Sequence, residues 1–283
     1  MESAKVDRRA RIDKFSISVF LILAIMLGSL WSEHARAIGM LHRPDTAGQA
    51  AWIAQLTVLI SALVTMTLFA RAAFKQLGWH LGPLRIYGIV ACITVAVTGL
   101  VTAIGVLLHA LVFSPHIPTR QAAFIIGFLF VGSTLFAFAE EFGWRGFLLP
   151  KLLPLGIVPA LLISGVCWFA WELPLVLFGL LDTTLLPINA PVTLICHLLQ
   201  DVSVGVLFGF LRLCYNSLPL STFAHGFLNT MGAFAFLFFE ERNPMLGDFA
   251  GPIGTLILLL LAAFVLVKSR KIPMAGGILA MNE

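Results

Sequence analysis

An all-helical membrane bundle of about eight spans is the fold class this sequence predicts, on three observations. Of 283 residues, 59% are hydrophobic and 11% charged, and mean hydropathy is +0.98. A soluble domain is about half apolar and about a quarter charged. The apolar residues also fall into runs near the roughly 20 residues that a helix rising about 1.5 Å per residue needs to cross about 30 Å of hydrocarbon. Finally, lysine and arginine gather in alternate connections. With 18 basic and 14 acidic side chains, the chain cannot cover a water-soluble exterior, and disorder and nucleic-acid binding are excluded with it.

The runs can be justified in order. The first, 15–31, follows Lys5, Arg8, Arg9, Arg11 and Lys14 and precedes Ala35-Arg36-Ala37. That layout resembles a signal peptide, but the apolar run exceeds the about 7–15 residues of a signal core and is read as a span. Runs 50–70 and 86–114 are separated by Arg71, Lys75 and Arg85, and His109, near the outer end of the third, is read as interfacial. Runs 122–150 and 155–180 flank Lys151, and 191–211, 217–239 and 251–267 complete the set. The fourth and seventh carry polar residues mid-span. Segments 32–49 and 240–250 are polar loops. There is no internal repeat, so 1–283 is read as one integral membrane domain. Cys92, Cys167, Cys196 and Cys214 all fall in apolar runs and are expected as buried thiols.

Eight spans with the N-terminus in the cytoplasm put fourteen of the 18 lysines and arginines inside, against Arg36, Arg43, Arg120 and Arg242 outside. Both termini are then cytoplasmic.

An ionisable side chain within a bilayer costs several kcal/mol, about 3 on insertion scales, so each one needs a reason. Besides His109, the apolar runs hold Glu140, Glu141, Arg145, Glu172, His197, Asp201 and His225. Glu141 and Arg145 are four apart, acid first, which suits a pair along one helix face. Glu140 points about 100° away. Without a local partner in a partly dry cavity, it suits a general base. Spacing equally permits a structural knot with both acids on Arg145. His225 and Asn229, again four apart, offer donors for a developing oxyanion, or polar bridges between helices.

Together these residues resemble the CAAX protease and bacteriocin-processing family, glutamic-type intramembrane endopeptidases that include type II CAAX prenyl endopeptidases. The family's E-E-x-x-x-R is matched by Glu140, Glu141 and Arg145, and the string continues W-R-G-F-L-L-P-K-L. Its H-x-x-x-N is matched by His225 and Asn229. The second motif, F-x-x-x-H, departs: the chain reads Trp168-Phe169-Ala170-Trp171-Glu172-Leu173-Pro174, with Glu172 at the histidine position. The resemblance implies a protease core over 122–239, cleavage of a membrane-associated peptide or protein, and no cofactor. It implies Glu140 as the base, His225 and Asn229 as the oxyanion site, and Glu141 and Arg145 in support. An ionised Glu172 only accepts hydrogen bonds, so it takes the histidine's place only by accepting from the water while sharing a proton with Glu140.

Other readings stay open. The chain is otherwise a pseudoprotease that binds membrane peptides without cutting them. Alternatively, His197 supplies the imidazole, oriented by Asp201 four residues on. A metal held by Glu140, Glu172 and His225 lacks any H-E-x-x-H and is not expected. A transporter would show paired interrupted helices in two halves, whereas these acids lie between 140 and 201. Counting along the spans sets Glu140 toward the cytoplasmic half and Glu172 nearer the outer half, a gap left to helix tilt. The motif context suggests a prokaryotic inner membrane.

Overall fold

The computed structural model describes residues 12–42, 44–181 and 186–269. Several residues used for orientation (Lys5, Arg8, Arg9, Arg11, Arg43, Arg270 and Lys271) lie outside the described residues.

Helices coincide with the eight apolar runs: α1 Lys14–Ala37, α2 Pro44–Phe69, α3 Leu84–Leu107, α4 Thr119–Glu141, then, after the short α5 Leu149–Leu152, α6 Ile157–Leu177, α7 Leu186–Tyr215 and α8 Leu218–Phe238. The short α9 Pro244–Gly247 leads into the last, α10 Pro252–Ser269. Among the described residues, seven helices are long and apolar enough to cross a membrane. The eighth, α8, has 21 residues, but Ser221, Thr222, His225, Asn229 and Thr230 dilute its hydropathy. The outer surface is apolar, as lipid requires. On α4, Phe124, Phe128, Val131 and Leu135 form an exposed stripe, and Leu256, Leu260, Phe264 and Val267 do the same on α10. The chain is an integral membrane protein.

Small residues set the packing. Along α1 the buried positions Phe20, Ala24, Gly28 and Ser32 recur every four residues, and α2 answers with Ala50, Ala54, Val58 and Ala62. With no water to expel between helices in lipid, such small residues let backbones approach and gain dispersion contact. A Cβ at Gly28 would lie 2.7 Å from the Trp171 indole nitrogen of α6. Trp171 in turn donates to Thr57 Oγ1 of α2 at 3.2 Å. These contacts tie α1 and α2 to the helices that carry the acids.

Local chemistry fixes the helix ends. Asn189 breaks the helical geometry of α7 (φ −155°, ψ 83°), and its side chain accepts from Val192 N–H, so the regular helix begins at the expected position near Pro191. Ser217 caps α8 by accepting from Leu220 N–H at 3.1 Å. Two short strands, β1 Leu111–Phe113 and β2 Phe239–Glu241, pair antiparallel across the ends of α3 and α8. The sequence had these segments as apolar run and loop. Cys196 is buried, but Cys92 is exposed on α3. An apolar surround in a membrane chain is as often lipid as protein, which corrects the expectation of four buried thiols.

Candidate active site

Three backbone approaches assemble the site. First, α4 continues through a π-helical turn, Phe142–Leu148, and α5 to the tight turn at Gly156, where φ is +98°. The chain then returns as α6. Glu140 and Glu172 lie at equal chain distance on either side of Gly156, and both reach one cavity. Second, α6 and α7 touch at glycines: a Cβ on Gly165 would lie 2.6 Å from Val202 Cα, and one on Gly205 2.9 Å from Gly165 Cα. Third, a Cβ on Gly226 of α8 would lie 2.5 Å from Thr134 Cα of α4. Two helical turns beyond Thr134 is Glu141, and next to Gly226 is His225.

Glu141 is fully buried and serves two partners with one oxygen. Arg145 Nη1 donates to its Oε1 at 2.8 Å, and His225 Nδ1 lies 3.0 Å from the same atom. A carboxylate accepts, so Nδ1 carries the proton and Nε2 is the nitrogen available to the cavity. Ring contacts fix the imidazole: Phe208 stacks on it at 5.3 Å and Trp168 lies at 5.1 Å. The Arg145 guanidinium sits 4.4 Å from the centre of the Trp168 ring, a cation–π contact in a dry setting. The expected Glu141–Arg145 pair is therefore present, and the histidine completes a Glu–His–Arg group that spacing along one helix could not reveal.

The other acids face a cavity of about 570 Å³. Glu140, Glu172, His197, Asp201, His225 and Asn229 all line it. Glu140 is 2% exposed, and its Oε2 has no hydrogen-bond partner. Asp201 lies beside Glu172, close enough for the two carboxyls to feel each other. Asp201 Oδ2 remains buried without a partner. His197 Nδ1 lies 4.0 Å from Glu172 Oε2, so this imidazole reaches the second-motif position from the neighbouring helix. Asp201, expected to orient His197, lines the same cavity beside Glu172. Among the described residues, no three His, Cys, Asp or Glu side chains are grouped to hold a metal ion.

Residues 122–231 match the family model described as type II CAAX prenyl endopeptidase Rce1-like. This segment is similar to the Rce1-like CAAX proteases. No curated protein gives a match. That family is one of proteases, and the matched segment contains most of α4, α6, α7 and most of α8, the helices that supply every acid and imidazole of the cavity named above.

The cavity also has walls not singled out in the sequence. Gln55 of α2, and Asp248 in the loop before α10, line it. Gln55 was legible as an isolated carboxamide in an otherwise apolar span, which needs a reason just as a charge does. Asp248 lies in a polar loop, where nothing in sequence sets it apart.

Proposed function

We propose that the protein is an intramembrane endopeptidase acting on a membrane-associated peptide or protein, with 122–239 as the catalytic core of a single membrane domain. The observation that carries this reading is the unpartnered, buried oxygen of Glu140 on the same cavity as His225 and Asn229. Glu140 takes a proton from water as the water oxygen attacks the scissile carbonyl carbon. The oxyanion receives hydrogen bonds from the Asn229 amide and from His225 Nε2 in its protonated form. Glu141 supports that form by accepting from Nδ1, as a carboxylate does in a hydrolase triad. The proton on Glu140 then passes to the departing nitrogen, the C–N bond breaks, and an acid and an amine result. Glu172 accepts from the attacking water.

One observation favours a second reading. Glu172 stands at the family's histidine position with Asp201 beside it, an arrangement that suits peptide binding without cleavage. A quenched-fluorescent peptide library in proteoliposomes separates the two. Cleavage by wild type that is lost in Glu140→Ala supports the protease. Cleavage by Glu172→His alone supports the silent binder. Loss of turnover in His197→Ala, with the fold intact, would move the second-motif role to His197. We further propose that both termini face the cytoplasm of a prokaryotic inner membrane, which reporter fusions at each terminus test.

A further inference from the structure

Acids dominate the cavity lining. Glu140, Glu172, Asp201 and Asp248 line it, against the imidazoles of His197 and His225, and among the described residues no lysine or arginine does. Arg145 is not in the lining; its Nη1 donates to Glu141, and its Nε and Nη2 are buried without a hydrogen-bond partner. Hydrogen-bonding capacity is unbalanced in the same sense. Three buried acceptor atoms on the wall lack partners: Gln55 Oε1, Glu140 Oε2 and Asp201 Oδ2. Against them stands one buried unpartnered donor on that wall among the described residues, Trp168 Nε1. Glu140 and Asp201 are 2% and 5% exposed, so bulk water does not satisfy them. A buried acceptor left unmade costs about 1–3 kcal/mol, more for a charged group, and a ligand that supplies donors recovers it.

We infer that the Glu172–Asp201 side of the cavity is a subsite for an organic cation, an ammonium or guanidinium carried by the substrate beside the scissile bond. The inference rests on the protease reading and names a substrate class for it. The chemistry is specific. The carboxyls of Glu172 on α6 and Asp201 on α7 both line the cavity, on two helices that the glycine contact holds close together. A guanidinium carries a planar fork of donors that matches carboxyl oxygens two at a time. The His197 ring, 4.0 Å from Glu172, adds an aromatic wall. A substrate carboxylate on this side would meet acids and, among the described residues, no lysine or arginine.

Two sources carry this cation, an internal Lys or Arg side chain and a free N-terminal amine, and the assay separates them. Binding of labelled peptides to Glu140→Gln protein in nanodiscs is measured for an Arg-containing peptide, its citrulline counterpart, and N-acetylated forms of each. Citrulline keeps the shape of arginine without the charge. The Arg peptide is expected to bind at least about tenfold more tightly, about 1.4 kcal/mol, and the preference is expected to fall to within about twofold in Asp201→Asn. If the Arg and citrulline peptides bind equally and acetylation weakens both, the cation is the terminal amine. Equal binding of Arg and citrulline peptides, with both N-termini free, overturns the inference if acetylation also changes nothing. So does a preference that Asp201→Asn and Glu172→Gln both leave intact. Selective binding without cleavage by wild type would refute the protease reading and leave the subsite standing. Cleavage that ignores the charge would do the reverse.

Discussion

Replacing Gly165 by alanine is a one-methyl test of how the site is assembled. The new Cβ would lie 2.6 Å from Val202 Cα and 3.0 Å from Asp201 O, both backbone atoms. Ordinary contact begins near 3.4 Å, so α6 and α7 must separate by close to about 1 Å, since no flexible side chain can give way. Overpacking of this kind costs about 1–3 kcal/mol, and the intrinsic gain of alanine over glycine in a helix returns about 0.5–1 kcal/mol. The net expectation is a loss of about 1–2 kcal/mol. Reversible unfolding in mixed lipid–detergent micelles titrated with a denaturing detergent measures it. Gly127→Ala on α4, where nothing lies within 4 Å of the added carbon, is the control and should be neutral or slightly stabilised. The same displacement carries Glu172 away from Asp201 and His197. Active sites tolerate about 0.5 Å of looseness, so peptide turnover should fall at least about tenfold in Gly165→Ala and stay unchanged in Gly127→Ala. Equal stability of the two variants would refute the claim that the glycine contact sets the helix spacing. Normal turnover in a destabilised Gly165→Ala would refute the link from that spacing to the site.

Other expectations follow from the same geometry. Glu141→Gln strips the charge from a fully buried partner of Arg145, and breaking a buried pair on one side costs about 3–5 kcal/mol; a detergent-titration midpoint and a turnover loss of at least about a hundredfold report it. Asn229→Ala removes one oxyanion donor and should lower kcat by about 10²–10³ with little change in KM. At the bundle's edge, partial burial pushes the Asp13 carboxyl up, but hydrogen bonds from Lys151 and Ser16 outweigh it and hold the group at about 2, below its ordinary 3.8. This stabilisation is present above the unfolded value and is lost as pH falls through about 2. Because the Asp13 side chain is 42% exposed, solvent screening keeps it below about 1 kcal/mol. Wild type and Asp13→Asn should therefore differ slightly in stability at pH 5 and converge near pH 2.

The spans were legible in the sequence because the bilayer imposes a length and a polarity that few other environments do. All eight runs became helices, with ends shifted by a few residues where caps such as Ser217 took over. The long-range partners were not legible. Glu141 and Arg145 are four apart, and one helix is enough to pair them. His225 lies 84 positions from Glu141, and only the close approach at Gly226 and Thr134 makes them neighbours. Asp201 was read against His197 because both sit on α7, and the contact at Gly165 and Gly205 also sets it beside Glu172 of α6.

The glycines explain why a polar site survives in this membrane at all. A carboxylate in lipid is expensive unless other groups share its field, and those groups must come from other helices, whose backbones ordinarily stand about 8–10 Å apart. Gly165, Gly205 and Gly226 remove side-chain thickness at two crossings, α6 with α7 and α8 with α4. They allow short acidic side chains to reach across a gap that would otherwise need the length of lysine or arginine. The acids and the glycines are then one design. Each alone reads as ordinary membrane-helix composition, whereas a glycine one to two turns from an acid on the same helix face, on α6 and again on α7, together with a glycine next to a histidine on α8, marks where the helices meet around chemistry.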